Sequence, residues 1–305
     1  MKAAVYTKTA SGKVLEIREL EQPSPKENEV LIRVKAASIN PLDWRMKRQR
    51  PGVDVAGEIV AIGKKVTDFK AGDAVFGIGR GTLAEFACAD ESKLAKKPDG
   101  VSFEQAAAVP VAGLTALQGL RDKGRLQPGQ RVLIIGAAGG VGTFAVQIAK
   151  SFGAYVTAVC STRNVDLVGS LGADRVVDYT REDFTADPEH YDLIVDNAAT
   201  RTLADMRSVL TPNGRCVMAG APKAFGPVLS RLVQAFGSSL FRKQKFRFFI
   251  ARMRRADLET LGELIRAGKL TPMIDRRYRL AETAAALAYL EEGHARAKVV
   301  VAVEE

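Results

Sequence analysis

The sequence is poor in cysteine and histidine, the two side chains that most often hold zinc. Its 305 residues include three cysteines, Cys88, Cys160 and Cys216, and two histidines, His190 and His294. Cysteines so few and so far apart give no disulfide framework, and they fit a reducing compartment. They cannot form a four-cysteine zinc site. We therefore expect a protein without a bound metal.

Long hydrophobic runs are also missing. No apolar stretch reaches the roughly 20 residues that span a membrane, and the N-terminal sequence MKAAVYTKTA lacks the apolar core of a signal peptide. We therefore expect a cytoplasmic protein without a membrane span. The length indicates two domains rather than one.

Acidic residues are absent from one long segment. Residues 221–255 contain no Asp or Glu but nine Lys and Arg, nearly the whole excess behind the net charge of +10. The basic character is therefore local, and we expect no nucleic-acid partner. Phenylalanines interleave with these charges across 223–255, which could indicate contact with a membrane surface or an acidic partner. We favour a different interpretation, in which this segment covers the pocket of a flat apolar substrate and its arginines are solvated. Residues 248–251 would then form an edge strand of a sheet.

The N-terminal part of the chain reads as short strands punctuated by Gly and Pro. A hairpin is predicted over 1–20, and further strands are predicted at 29–37, 53–62, 74–76 and 83–89. Such a series predicts a small antiparallel barrel.

The pattern changes near Ser102, which with Gln105 resembles a helix start. Residues 106–120 are predicted to be helical apart from Pro110 and Gly113. Strands and helices then alternate, which predicts a parallel sheet with helices on both faces. The predicted strands are 131–135, 155–160, 175–178, 192–196, 214–219 and 246–251, and the helices are 141–152, 163–171, 202–210 and 256–267. A helix at 281–291 and a strand at 298–303 end the chain.

Residues 131–153, RVLIIGAAGGVGTFAVQIAKSFG, carry the clearest functional signal. A buried strand, a glycine-rich turn and a helix in this order are typical of a dinucleotide-binding site. The glycines let the backbone approach a pyrophosphate, which the free N–H groups of the helix start can bind. The alternative is a tight turn that binds nothing.

The end of the next strand indicates which dinucleotide is bound. NAD-specific proteins place Asp or Glu there to hold the ribose 2′-hydroxyl, whereas this chain has Cys160 and no acid before Asp166. Ser161 and Arg163 could instead bind a 2′-phosphate. We therefore expect NADPH, although Ser161 could simply cap the following helix while Arg163 is solvated.

Several of these stretches together resemble the medium-chain dehydrogenase/reductase superfamily, and within it the zinc-free quinone oxidoreductase branch. They are VLIRVKAASINPLDW (30–44), GVDVAGEIVAIG (52–63), VLIIGAAGGVG (132–142) and LGADRVVDY (171–179). The resemblance implies an α/β protein with a GroES-like antiparallel β-barrel, formed by 1–113 and 272–305, and a Rossmann domain, 114–271. It also implies a homodimer that transfers hydride from NADPH to a quinone or an α,β-unsaturated carbonyl.

The resemblance also bears on metal binding. Zinc-containing relatives carry a G-H-E motif where this chain has Gly52-Val53-Asp54, and their first cysteine ligand corresponds to the neighbourhood of Asn40. Zinc catalysis needs about three protein ligands. We therefore expect no zinc site in this protein. The loop between Trp44 and Gly52 is shorter than in such relatives.

By the same resemblance, Asn40, Asp43 and Thr115 are the expected catalytic residues beside the nicotinamide. Asn40 could donate to a carbonyl oxygen, and Asp43 could orient Asn40 or relay a proton. The alternatives are an Asx turn capped by Asn40 and Asp43, and a Thr115 hydroxyl bonded to its own helix. Trp44 could stack on a substrate ring or belong to the core.

Tyr179 resembles the family tyrosine beside the adenosine, although it could be an exposed residue at a strand end. His294 and Arg296 could reach a cofactor phosphate or cap a helix, and we favour the cap for His294. The expected cofactor-binding residues are Gly136, Ala138, Gly139, Gly140, Val141, Gly142, Ser161, Arg163, Tyr179, Asn197 and Arg296.

Two further functions remain open at this point. The first is a structural or regulatory protein that binds NADPH without turnover, because a fold does not determine a function. The second is a metal-free alcohol or carbonyl oxidoreductase.

Overall fold

A computed structural model describes residues 1–9, 12–46, 49–186, 188–219 and 243–303. The chain divides into two compact units. Met1–Leu114 with Met253–Glu305 is called the barrel unit below, and Thr115–Arg252 is called the Rossmann unit.

The barrel unit is built mainly from antiparallel strands, as predicted, although the strands Ile274–Arg279 and Lys298–Ala302 pair in parallel. A hairpin of β1 (Lys2–Thr9) and β2 (Gly12–Glu19) accompanies a sheet of β3 (Glu29–Ile39), β4 (Asp54–Ile62), β5 (Ala74–Ile78), β6 (Phe86–Asp90), β7 (Leu94–Lys96), β14 (Ile274–Arg279) and β15 (Lys298–Ala302). The sheet order is β14-β15-β3-β4-β5-β7, with β6 also pairing β3. The central strand β3 is buried along most of its length, because both of its faces are covered.

The Rossmann unit holds a parallel sheet. Its strands are β8 (Arg131–Ile135), β9 (Tyr155–Cys160), β10 (Arg175–Asp178), β11 (Tyr191–Asp196), β12 (Leu210–Ala219) and β13 (Lys245–Phe249), in the order β10-β9-β8-β11-β12-β13. Strand order reverses between β8 and β11, and such a switch point is where open α/β sheets bind their ligands.

The observed helices agree with the capping signals of the sequence, but their bounds differ in places from the predicted ones. They are α1 (Pro41–Met46), α2 (Phe103–Ala107), α3 (Pro110–Gln118), α4 (Gly140–Ser151), α5 (Val165–Ser170), α6 (Leu203–Ser208), α7 (Arg255–Arg266) and α8 (Thr283–Glu292). Ser102 and Gln105 form the capping box that starts α2. The helical stretch predicted over 106–120 is interrupted at Pro110, as the sequence indicated, because Pro110 cannot continue α2 and instead begins α3. Gly113, the other exception, lies inside α3.

Other differences from the sequence expectations are local. Residues 41–46 form α1 rather than a turn, and the strands β7 and β14 were not predicted. The predicted edge strand 248–251 begins earlier, as β13, at the edge of the described sheet. Most of the basic segment 223–255 precedes β13, and its residues 223–242 lie outside the described residues.

Each unit has its own hydrophobic core. Ile32, Ile39 and Ile59 of the barrel unit are almost completely buried, as are Tyr191 and Ile194 of the Rossmann unit. Burying an aliphatic or aromatic side chain stabilises a fold by roughly 1.5–3 kcal/mol. Each core therefore stabilises the unit that carries it.

Helix α7 packs in the barrel unit, although the sequence placed residues up to 271 with the Rossmann domain. Arg255 of α7 forms an ion pair with Asp68 and lies 4.9 Å from the centre of the Phe69 ring. A side chain on Gly113 would lie 3.0 Å from Leu261, also in α7. The second boundary between the units therefore falls at 252/253 rather than at 271/272.

Candidate dinucleotide site and buried polar cluster

The glycine turn after β8 is shaped by two different constraints. Gly136 has φ 74°, a conformation that favours glycine. A Cβ on Gly142 would lie 2.2 Å from the Gly136 carbonyl oxygen and 2.6 Å from that of Ala137. Gly142 is therefore required for packing of the helix on the turn. A Cβ on Gly139 would meet one atom only, 3.4 Å away, so the space beside Gly139 is open.

The start of α4 offers free backbone donors. Gly139 is its N-cap residue and provides no side-chain cap. Thr143 is the first residue to bond back to the turn, with its N–H 3.0 Å from the Gly139 oxygen. Because the first N–H groups of a helix have no partner within the helix, Gly140, Val141 and Gly142 can bind an anion such as a pyrophosphate. Ala138, in the same turn, is buried.

Asn197 lies beside this turn, at the end of β11. Its N–H donates to the Ile135 oxygen over 3.1 Å, and its Cβ lies 3.6 Å from where a Cβ on Gly136 would stand. Both polar atoms of its side-chain amide are buried without a hydrogen-bond partner in the described structure. Such a group is costly unless something else bonds to it, so the turn and Asn197 fit a bound dinucleotide.

The end of β9 carries the residues expected to select the cofactor. Ser161 occupies the N-cap position of a short 3₁₀ turn, but its hydroxyl caps nothing and accepts from the Asn164 amide over 3.0 Å. Arg163 is exposed on that turn. Both residues are compatible with a 2′-phosphate. The Ser161 side chain does not cap the following turn, which was the alternative for this residue.

An acidic residue does stand near this strand end, and the sequence reasoning missed it. Asp178 on β10 is opposite Cys160 in the parallel register. The Thr162 hydroxyl donates to Asp178 Oδ2 over 2.6 Å and lowers the pKa of Asp178. Thr180 donates twice to Oδ1, over 2.8 and 3.0 Å. The carboxylate is thus engaged locally. Only the pairing of β9 with β10 could have located it.

Tyr179 follows Asp178 and links the ends of β10 and β9, since its N–H donates to the Cys160 oxygen over 3.0 Å. Its side chain is 57% exposed, so the ring is accessible for stacking, as an adenine site requires.

In the barrel unit, Asp43 is buried and bonded to backbone. Its carboxylate accepts from the N–H groups of Asn40, over 2.8 Å, and Gly52, over 3.0 Å. The first bond caps the start of α1, and the second joins α1 to Gly52. This differs from the Asx turn capped by both residues, because the Asn40 side chain bonds to Asp54 and Lys298 instead. Burial nevertheless raises the pKa of Asp43 to about 6.

The Asn40 side chain belongs to a polar cluster that the sequence analysis did not identify. Its Nδ2 donates to Asp54 Oδ2 over 2.8 Å, and its Oδ1 accepts from Lys298 Nζ over 2.7 Å. Asp54 also accepts from the Ser38 hydroxyl and the Val111 N–H. This arrangement fixes the orientation of the Asn40 amide. A flipped amide would place its NH₂ group against the Lys298 ammonium and its oxygen against the Asp54 carboxylate.

Lys298 is an unusual member of the cluster because its ammonium is buried. It is 4% exposed and lies 3.4 Å from the fully buried Asp54 carboxylate. Burial lowers the pKa of Lys298, and the nearby carboxylates of Asp54 and Asp43 oppose that shift. The one sequence signal was a lysine directly before the apolar run VVVA, at the start of a buried strand, where an unpaired charge would be costly.

The remaining candidates are Trp44, Thr115, Arg296 and His294. Trp44 packs against the barrel core, and its Nε1 is buried without a partner in the described part of the chain. Thr115 is half-buried in α3 of the Rossmann unit. The Arg296 N–H donates to Asp275 over 2.8 Å. Gly293, with φ 82°, ends α8 just before the exposed His294.

No group of three or more His, Cys, Asp or Glu side chains is placed to hold a metal ion within the described ranges. Val53, at the position of a zinc ligand in related enzymes, has no donor atom. No described helix is long and apolar enough to cross a membrane.

A parallel sheet with a glycine turn at its switch point, together with a GroES-like barrel, defines a medium-chain dehydrogenase/reductase. Family models agree with this class: residues 26–99 match the alcohol dehydrogenase GroES-like domain, and residues 171–301 match the zinc-binding dehydrogenase model.

Individual relatives narrow the class. The chain is 35% identical to a chloroplast envelope quinone oxidoreductase homolog of Arabidopsis thaliana, over 99% of this chain and 98% of that protein. It is 34% identical to an NADPH-dependent alkenal/one oxidoreductase of the same plant, over 99% of this chain and 79% of that protein. A quinone oxidoreductase structure from Coxiella burnetii superimposes with a TM-score of 0.85 at 30% identity, covering 100% and 99% of the two chains. The chain belongs to the zinc-free quinone oxidoreductase branch of the superfamily, and it is an oxidoreductase.

Proposed function

We propose that the protein is an NADPH-dependent reductase that transfers hydride to a quinone or to an α,β-unsaturated carbonyl. The observation that carries the proposal is the open glycine turn with the partnerless Asn197 amide beside it. The names of the relatives, a quinone oxidoreductase homolog and an alkenal/one oxidoreductase, support the substrate class.

The chain's own residues would hold the cofactor as follows. The first N–H groups of α4 bind the pyrophosphate, Ser161 and Arg163 bind the 2′-phosphate, and Tyr179 stacks on the adenine. Asn197 bonds to the cofactor, and Arg296 reaches a phosphate. NADPH supplies the hydride, so the protein's tasks are to position the substrate and to manage the proton.

Asp43 suits the proton task. With a pKa of about 6, its carboxyl exchanges a proton near neutral pH, which is where a general acid works best. The Asn40 amide retains one N–H that the cluster does not use, and it can donate to a substrate oxygen. Thr115 completes the set of catalytic residues that we propose. We also propose a cytoplasmic homodimer.

The test is steady-state NADPH oxidation with benzoquinone, naphthoquinone, cyclohexenone and methyl vinyl ketone. We expect oxidation with at least one compound, and the Gly139→Val protein, which should bind the cofactor poorly, serves as the inactive control. Tight NADPH binding without oxidation across the panel would favour the structural or regulatory alternative. Oxidation of simple alcohols instead would favour the alcohol oxidoreductase.

A further inference from the structure

A small cavity in the barrel unit is lined by two arginines. Its volume is about 240 Å³, and its walls are formed by Leu42 and Asp43 of α1, by residues 50–53 and by residues 79–81. The lining side chains include Arg50, Arg80 and Asp43. Asp43 is the residue to which we assign the proton, so a group bound in this cavity would lie beside the reacting centre.

Arg50 has an unsatisfied hydrogen-bonding edge. Its Nε and Nη2 are both buried, and neither has a hydrogen-bond partner among the described residues. These two nitrogens belong to the same edge of the planar guanidinium and point their hydrogens in parallel. Arg121 uses this same edge to hold Asp122, with Nε 2.6 Å from Oδ1 and Nη2 3.1 Å from Oδ2. The free edge of Arg50 therefore has the geometry of a carboxylate receptor.

The backbone around Arg50 is fixed. The Tyr6 N–H donates to the Gln49 oxygen over 2.8 Å, and the Gly81 N–H donates to the Gly52 oxygen over 3.0 Å. The Arg50 side chain lies across Gly81, where an added Cβ would stand 2.9 Å from Arg50 Cβ and 3.1 Å from Nε. The glycine at position 81 thus makes room for the guanidinium.

The charged side chains that line the cavity are two arginines and one aspartate. Arg80 forms an ion pair with Glu29 at 2.6 Å, and its side chain is 62% exposed. The Asp43 oxygens are directed at backbone N–H groups, which reduces their repulsion of a second carboxylate. An unpaired buried guanidinium is costly, and an anion that reaches it removes that cost. In the described conformation this edge does not contact solvent, so binding of an anion there requires a change in the Arg50 side-chain torsions.

We propose that this cavity binds a carboxylate of the substrate, and that the preferred substrates are quinones or enones that carry a carboxylate near the reducible group. The second part rests on the proposed function, whereas carboxylate binding at Arg50 can be tested without turnover.

The binding test uses para-acetylbenzoate and its methyl ester as unreactive probes in isothermal titration calorimetry. We expect the acid to bind roughly ten- to a hundredfold more tightly than the ester, since one charged hydrogen-bond pair distinguishes them. Arg50→Gln should abolish this preference, and Arg50→Lys should lose most of it, because a lysine keeps the charge but not the fork. Arg121→Gln is the matched control, since its edge is already occupied by Asp122, and it should keep the preference.

The kinetic test compares benzoylacrylate with its methyl ester in NADPH oxidation. Arg50→Gln should raise KM for the acid by roughly ten- to a hundredfold and leave the ester unchanged. Equal affinity for acid and ester in the wild type, or an unchanged preference in a folded Arg50→Gln protein, would overturn the carboxylate site. Equal competition by inorganic phosphate would also overturn it, since it would indicate an unselective anion site. If Arg50→Gln does not fold, the same comparison is made with Arg50→Lys, and an unchanged preference for the acid in that protein would overturn the site. Absence of oxidation with both compounds, while the binding preference holds, would instead refute the proposed function.

Discussion

At the scale of single residues, the buried ammonium of Lys298 has the largest expected effect on stability. It donates to Asn40 Oδ1 over 2.7 Å and to the Ile39 oxygen over 3.2 Å, and it offsets the buried charge of Asp54. Removing one member of a buried ion pair leaves the other charge without compensation.

Lys298→Ala should therefore destabilise the protein by about 3–5 kcal/mol. The control is Lys65→Ala, because Lys65 pairs with Glu27 on the surface, where both side chains are about two-thirds exposed. That change should alter the free energy of unfolding by less than about 0.5 kcal/mol. Urea unfolding measures both variants, and similar small losses in the two would mean that Lys298 contributes no more than a surface charge.

The raised pKa of Asp43 predicts a pH-dependent stability term. Between the ordinary pKa of 3.8 and the folded value of about 6, the native state keeps a proton that the unfolded state has released. Stability due to Asp43 therefore falls as pH rises through this window, by at most about 1.4 kcal/mol per pH unit.

The measurement is urea unfolding of the wild type and Asp43→Asn at several pH values from about 4 to 7. Groups common to both proteins cancel in the difference between their free energies of unfolding. The wild type should lose its relative advantage as pH rises. A difference that stays constant with pH would mean that Asp43 titrates normally.

Arg163 tests the choice of cofactor. Loss of one charged hydrogen bond costs about 1.5–3 kcal/mol, so Arg163→Ala should weaken NADPH binding by roughly ten- to a hundredfold while NADH binding stays nearly unchanged. Arg181→Ala is a suitable control, because Arg181 is exposed and lies 3.6 Å from Asp178 at the adjacent strand end. Equal losses for both cofactors, or a wild-type preference for NADH, would contradict the assignment.

At the scale of elements, the strand, turn and helix from β8 to α4 separate a packing role from a binding role. A methyl group on Gly142 would meet backbone oxygens at 2.2 and 2.6 Å, whereas one on Gly139 would meet a single oxygen at 3.4 Å. The sequence alone could not distinguish the two glycines, because both lie in the same motif.

Gly142→Ala should therefore destabilise the Rossmann unit by about 1–3 kcal/mol or more. Gly139→Ala should leave stability nearly unchanged, since its φ of −79° suits alanine, but it should weaken NADPH binding. Thermal unfolding and NADPH titration of the two variants check this. Unchanged NADPH affinity in the Gly139→Ala protein would show that no phosphate approaches that residue closely.

The helix α1 shows how an element escaped the sequence analysis. Asn40-Pro41 disfavours helix at Asn40 itself, and a turn was therefore predicted. Proline is nevertheless well suited to the first position of a helix, and Asp43 caps the N–H of Asn40. A helix of six residues is too short to give a periodic hydrophobic signal.

At the scale of the whole molecule, the absence of metal ligands predicts independence from zinc, even though one matching family model is described as zinc-binding. Dialysis against a chelator should leave the rate of NADPH oxidation unchanged, because Val53 has no donor atom. A zinc alcohol dehydrogenase treated in parallel should lose activity. Stoichiometric zinc in the active protein by elemental analysis, or inactivation by the chelator, would contradict the prediction.

The sequence by itself determined the features that depend on neighbouring residues. The strands β8, β9 and β10 were predicted with the bounds that they have, because each is a short apolar run between turn signals. The glycine turn between β8 and α4 was predicted for the same reason, since its glycines, strand and helix are contiguous.

Only the tertiary structure decided which distant polar groups meet. Lys298, Asn40 and Asp54 come together because β15 pairs with β3 and β3 pairs with β4, so that Val299 is opposite Ile39 and Ser38 is opposite Asp54. Asp178 reaches Cys160 through the pairing of β10 with β9. Strand register fixes such contacts, and register is a property of the assembled sheet rather than of any one segment.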